Sequence, residues 1–305
     1  MDLISQFSGQ AEFVNSEIVP WVLRLVMAGL GLSLTLADFR RVIVFPKAAA
    51  IGLVAQLVGL PLAAFVLALV FDAPPAIAVG LVILAACPSG VTSNAYSFAA
   101  RADVPLCVTL SALTSVITVF TIPFLIQLAL GVFAGPGETV QVSAANMFRN
   151  LMTFTLIPLA LGMLFRHFFP AQAERAVEPT RKAVLYLMIL VLLLGVVSSI
   201  EEITANFATA GLLVIVMNLL TMGLGFGAAR AFRLPMTQVV TITFEVGVQN
   251  LALALAIAFN ILAAPELAVA ALIYAAVMPA TALAFVSVGR RLIARDAGLE
   301  SAAGR

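Results

Sequence analysis

The stretch Thr243-Phe244-Glu245-Val246-Gly247-Val248-Gln249-Asn250 decides how this chain is read, because it sets a carboxyl group inside an apolar run long enough to cross a bilayer. An acid at that depth is costly unless it meets a cation, a proton or a water-filled cavity, so it marks a functional site. Around it, the 305-residue chain is 63% hydrophobic and 10% charged, with a mean hydropathy of +1.14. Too little polar surface remains to cover a soluble core, and the class that follows is an all-α polytopic membrane protein. A net charge of +1, with Lys and Arg confined to short gaps, argues against a nucleic-acid partner. Cys87 and Cys107 lie within apolar runs and show neither disulfide nor metal-ligand spacing.

Crossing the hydrocarbon takes roughly 20 apolar residues. About nine such stretches follow one another, near 18–37, 48–71, 76–99, 104–133, 147–166, 183–200, 207–229, 235–260 and 267–289. Every Lys and Arg except Arg24 and Arg149 falls in alternate gaps or at the C-terminal end, while the other gaps carry Asp72, Glu138, Glu201, Glu202 and Glu266. Short cytoplasmic loops retain basic residues, so the N-terminus is expected outside and the C-terminus inside. Residues 1–17, with Asp2, Glu12 and Glu17 but no Lys or Arg, read as an outer segment without a cleaved leader, and residues 291–305 as a cytoplasmic tail. Trp21 reads as an aromatic-belt anchor, and His167, beside Arg166, as an interfacial residue.

Two spans are interrupted at mid-membrane. The third reads Ala86-Cys87-Pro88-Ser89-Gly90-Val91-Thr92-Ser93-Asn94, where Pro88 removes a helix donor and Gly90 loosens the backbone. The eighth carries Gly247 within Glu245 to Asn250. Broken backbone is tolerated at that depth only where protein buries it or it lines a cavity. Each break lies in the second member of a three-span group, spans two to four and seven to nine, and the groups enter from opposite sides. Paired interruptions in inverted halves point to a transporter's midplane site.

A dehydrated sodium ion needs several oxygen ligands, as other hard cations do. Glu245 offers charge, Gln249, Asn94 and Gln56 offer amide oxygens, and Ser93 and Ser111 offer hydroxyls. Two plainer readings compete. The hydroxyl and amide residues could simply bond neighbouring helices, and Glu245 could pair with Arg24 or Arg149, the basic residues nearest membrane depth.

The Cys87-Pro88-Ser89-Gly90 to Ser93-Asn94 segment, the Glu245 to Asn250 segment and the span count together resemble the bile acid:sodium symporter family, solute carrier family 10. That resemblance covers nearly the whole chain. It implies a core domain, 48–133 and 207–290, with two crossed broken helices and inverted repeats, and a panel domain, 18–37 and 147–200. It implies two sodium sites, one of Ser93, Asn94, Cys107, Ser111 and Glu245, the other of Gln56, Glu245, Gln249 and the backbone carbonyls of Val246 and Val248. Cys107 stands where the family places a hydroxyl, and a thiol is a poor ligand for a hard cation, so one or two sodium ions are coupled. The implied substrate is an organic anion, a bile acid or a small carboxylate, met by Thr92, Asn94 and Asn250 near half-helix N-termini. A bacterial-type carrier in the inner membrane is the expected setting.

A rival within transport is an arsenite-type efflux carrier using Cys87 and Glu245, with a thiolate meeting the soft metalloid. An intramembrane enzyme would need a nucleophile and base or a zinc set, and one His with one deep acid supplies neither.

Overall fold

The computed structural model describes residues 18–133, 143–198 and 200–303, so the expected outer segment 1–17, Glu138 and Arg305 lie outside the described residues. Prolines open many of the helices. Pro46, Pro75, Pro170 and Pro265 each stand at a first helical position, where a missing N–H costs nothing. The helices are α1 (Val19–Ser33), α2 (Leu36–Arg40), α3 (Pro46–Val70), α4 (Pro75–Ala86), α5 (Thr92–Ala99) and α6 (Val104–Phe133). After them come α7 (Ala144–Phe168), α8 (Pro170–Ser198), α9 (Ile200–Ala231), α10 (Met236–Gly247), α11 (Leu251–Ile261) and α12 (Val269–Ala303). Among the described residues there is no strand, only one antiparallel bridge between Ser89 and Gln249.

Six helical stretches are long and apolar enough to cross a membrane, and α1 with the turn after it makes a seventh if that bent pair is one span. The bend is 75° and follows Ser33, where Thr35 N–H and Oγ1–H both donate to Asp38 Oδ2 at 2.7 Å and restart the chain as α2. Two further segments, α4–α5 and α10–α11, are each a pair of short helices on either side of a break. The expected start near 104 matches α6. Expected limits differ at α8, which begins at Pro170 rather than near 183, and at α12, which continues as helix through the expected tail to Ala303. In both places the helix outruns the apolar stretch, because polar Ala-, Arg- and Glu-containing turns still propagate a helix already nucleated.

Polarity is arranged inside out. Large apolar side chains face outward, as with Leu62, Val66 and Leu69 on α3, Phe120, Phe124 and Leu128 on α6, and Leu185, Ile189 and Leu193 on α8. Buried inside are Gln56, Ser93, Ser111, Asn218, Glu245 and Gln249. Only a hydrocarbon surrounding makes that distribution stable, so this is an all-α polytopic membrane protein.

α1 packs chiefly on α7 and α8, and its closest approach uses two glycines. A Cβ on Gly31 would lie 2.1 Å from Leu159 O, and one on Gly162 would lie 2.2 Å from Ala28 O, so the two backbones touch where side chains would forbid it. The remaining helices pack on one another, α9 against α10 and α12, α4 against α3 and α6, and α10 against α6. Matching corners lead into the two broken segments. Asp72 (φ 46°) and Arg233 (φ 57°) occupy the left-handed position after α3 and α9, with Ala73 N–H donating to Ala68 O and Leu234 N–H to Ala229 O. The same six-residue helix stop also ends α5, with Arg101 at φ 59° and Ala102 N–H donating to Ser97 O, so it recurs along the chain.

Candidate functional site

The two breaks meet at the centre of the bundle. Gly90 N–H donates to Val248 O at 3.0 Å and Asn250 N–H to Pro88 O at 2.9 Å, so the broken strands pair antiparallel for one step. The approach needs Gly90, since a Cβ there would stand 2.9 Å from Gln249 O. Breaking a helix in a bilayer frees carbonyls that must find donors. Cys87 O accepts from Gln56 Nε2 at 3.1 Å and Val246 O from Gln249 Nε2 at 2.7 Å. Gly247 O accepts from Tyr274 Oη at 2.9 Å and from Asn218 Nδ2 at 3.2 Å, and Asn218 also donates to Tyr274 Oη at 2.9 Å.

Beside the crossing, Glu245 on α10 is fully buried. Its Oε1 accepts from Ser111 Oγ at 2.8 Å and from Ser89 Oγ, and its Oε2 accepts from Ser93 Oγ and from Cys107 Sγ, each at 3.1 Å. Ser89 and Ser111 also touch at 3.0 Å, and Ser97 Oγ donates to Cys107 Sγ at 3.3 Å. Cys107 and Ser111 reach the same carboxylate because residues four apart share a helix face. Four donors saturate its roughly four lone-pair directions. A hydroxyl can turn from donor to acceptor, so three of these four donors can present oxygen to a cation held by Glu245. The thiol of Cys107 offers only sulfur.

A second cluster is built around Gln249. Gln56 sits in a widened π-turn of α3, Ala55–Gly59, just before Pro61, whose ring cannot fit a regular turn. Its Nε2 donates to Gln249 Oε1 at 3.1 Å, while its own Oε1 is buried without a hydrogen-bond partner. Asn94 Oδ1, on the α5 side, is likewise buried and without a partner. Buried oxygens without donors are rare in folded proteins, and a cation would satisfy them.

The structure thus brings together Ser93, Cys107, Ser111 and Glu245, and separately Gln56, Val246 and Gln249. Val248 contributes its carbonyl to the crossing pair, leaving one lone pair. Thr92 is exposed at the start of α5, and Asn250 caps α11 through Oδ1 accepting from Leu253 N at 3.1 Å. Glu245 has no ion pair among the described residues. Arg24 is instead sandwiched between the Trp21 and Phe154 rings, at 4.6 and 4.8 Å from their centroids, and Arg149 is exposed. The thiol hydrogen-bonded to Glu245 is that of Cys107, while the backbone carbonyl of Cys87, the cysteine of the metalloid-carrier reading, accepts from Gln56. Three residues escaped the sequence reading. Ser89 sat inside the quoted break, but Asn218 and Tyr274 are single polar residues in apolar spans with no spacing to tie them to Gly247.

Outward apolar faces, two broken segments and a polar crossing at their meeting point are the architecture of secondary transporters. Comparison with known proteins makes the assignment definite: the chain belongs to the sodium bile acid symporter family, whose profile matches residues 20–206. It is 30% identical over 251 residues to the uncharacterized sodium-dependent transporter YocS of Bacillus subtilis, covering 80% of this chain and 74% of that protein. It is 27% identical over 248 residues to the human ileal sodium/bile acid cotransporter, covering 81% and 70% of the two chains. A probable chloroplastic sodium/metabolite cotransporter of rice, BASS2, is 27% identical over 234 residues, 76% of this chain and 54% of the plant protein.

Proposed function

We propose that this protein is a sodium-coupled symporter of an organic anion, binding ion and substrate where its two broken segments cross. The observation that carries this reading is the carboxylate of Glu245, fully buried without a counter-charge among the described residues and ringed by three hydroxyls. The buried, partnerless Gln56 Oε1 and Asn94 Oδ1 add oxygens with nothing to accept from. Helix-to-helix bonds account for the ring of donors, and an ion site would supply what they leave missing, a counter-charge for Glu245 and a partner for the two free oxygens.

One sodium ion would take Glu245 with Ser93, Asn94 and Ser111, with Ser89 as a further hydroxyl and Cys107 as the weak member. A second would take Gln56, Gln249, Glu245 and the Val246 and Val248 carbonyls. The anion would lie against Thr92, Asn94 and Asn250. Asn250 Oδ1 is committed to its cap, which leaves the amide N–H groups as donors to a carboxylate. The two segments broken at corresponding places support inverted repeats, and the confinement of Lys and Arg to alternate gaps supports a nine-span chain, N-out and C-in. The packing of α1 with α7 and α8 supports a panel moving against a core in alternating access. The relatives' names, a bile acid cotransporter and a metabolite cotransporter, support an organic substrate.

Uptake into proteoliposomes tests the reading. A panel of bile acids and small carboxylates should enter under an inward sodium gradient, and uptake should vanish when potassium replaces sodium. Equal uptake in both salts would contradict sodium coupling.

A further inference from the structure

We infer that the chain carries a lipid site, separate from the crossing, that takes the headgroup of an anionic phospholipid. A cavity of about 590 Å³ opens at the bend after α1 and is lined by Leu34, Leu36, Ala160 and Leu164, with Arg166 and His167 at its polar end. Its size falls within the roughly 300–1,000 Å³ of small-molecule sites. None of its lining residues belongs to the sites around Glu245 and Gln249, so the transported ion and anion are not its occupants.

The location fixes the kind of ligand. The cavity lies where α1 and α7 end and α8 begins, at a membrane boundary, and its aliphatic wall includes the exposed side chains of Leu36 and Leu164. In a bilayer such a wall is covered by acyl chain. The polar end is basic: Arg166 Nη1 donates to Leu32 O at 2.8 Å, which holds the guanidinium at the cavity, and among the described residues Arg166 has no carboxylate partner. The remaining guanidinium N–H groups suit a phosphate oxygen. The one acid nearby on α2, Asp38, is already held by Arg41 at 2.5 Å and by Thr35. Basic pockets between membrane helices select anionic headgroups in this way, and each Arg near the surface is worth about fivefold in affinity for anionic lipid.

Native mass spectrometry of the purified chain tests this. Phosphatidylglycerol and phosphatidylcholine with identical acyl chains would be titrated into wild type, Arg166→Gln, His167→Gln and Ala160→Phe. Wild type should retain phosphatidylglycerol over phosphatidylcholine. Arg166→Gln should lower retention of phosphatidylglycerol about fivefold and that of phosphatidylcholine, whose phosphate is offset by its own choline cation, less. Ala160→Phe, which fills part of the apolar lining and keeps Arg166 and His167, should weaken both lipids. If Arg166→Gln fails to fold for want of its bond to Leu32, His167→Gln and Ala160→Phe decide the matter, with His167→Gln expected to lower phosphatidylglycerol selectively. Equal retention of the two lipids by wild type, wild-type retention by the folded variants, or displacement of phosphatidylglycerol by inorganic phosphate alone would overturn the site.

Discussion

The two clusters at the crossing, around Glu245 and around Gln249, are built from different chemistry. Around Glu245 every carboxylate lone pair already holds a donor, three hydroxyls and a thiol, so the site is closed by its own hydrogen bonds. Around Gln249 the amides are chained to backbone carbonyls, and one oxygen, Gln56 Oε1, is left over. An ion entering the first cluster must turn hydroxyls from donors into acceptors. An ion entering the second meets an oxygen already free. On this account the second cluster binds sodium more readily, and the first is limited by its sulfur.

The largest effect should come from Glu245, the residue both clusters share in the proposed mechanism. Glu245→Gln removes the charge from both sites, and losing a charged hydrogen-bonding group costs about 2–3 kcal/mol. Sodium affinity should fall roughly 30- to 150-fold, and substrate binding should weaken with it because the coupling is reciprocal. Uptake at fixed sodium measures the loss, and wild-type uptake by the variant would break the comparison at its centre. Gln249→Ala strikes the second cluster alone. It strands the Val246 carbonyl and leaves Gln56 Nε2 with only its bond to Cys87 O, at about 1–2 kcal/mol, so sodium affinity should drop roughly 5- to 30-fold in calorimetric titration.

Tyr274→Phe acts through the backbone. It removes one of the two donors on Gly247 O, at about 1 kcal/mol, and keeps the buried ring. The break should loosen, with a lower melting temperature and sodium affinity reduced about fivefold. The smallest change should be a gain. Cys107→Ser replaces sulfur with an oxygen beside Glu245 Oε2, and sodium should bind about two- to threefold tighter, from about 0.5 kcal/mol. A steeper dependence of transport on sodium would show the first cluster now filling, while an unchanged titration would show that position 107 does not separate the two clusters.

Much of this was legible in the residues themselves. The start of α6 at Val104 could be read because an apolar run begins there after Arg101 and Asp103, and the breaks at Pro88 and Gly247 announced themselves through a helix breaker in an apolar span. The helical stretch from Pro170 and the C-terminal extension of α12 were not legible, because hydropathy reports where lipid begins rather than where the helix does. The site divides similarly. Glu245, Gln249 and Ser93 stand out as polar residues in apolar runs, whereas the roles of Asn218 and Tyr274 exist only once α9 and α12 have packed around α10. The bond between Cys107 and Glu245 spans 138 residues and depends on the crossing itself. Sequence spacing carries no trace of such contacts.

Sodium binding at the crossing is tested most directly by the melting temperature of the purified protein as sodium replaces potassium at constant ionic strength. A ligand held only by the folded state stabilises it by about 2.7 kcal/mol at a hundredfold excess over its Kd. The account predicts a saturable rise in melting temperature with sodium in wild type and its loss in Glu245→Gln. Identical melting curves in the two salts, or a sodium response that survives in Glu245→Gln, would contradict it.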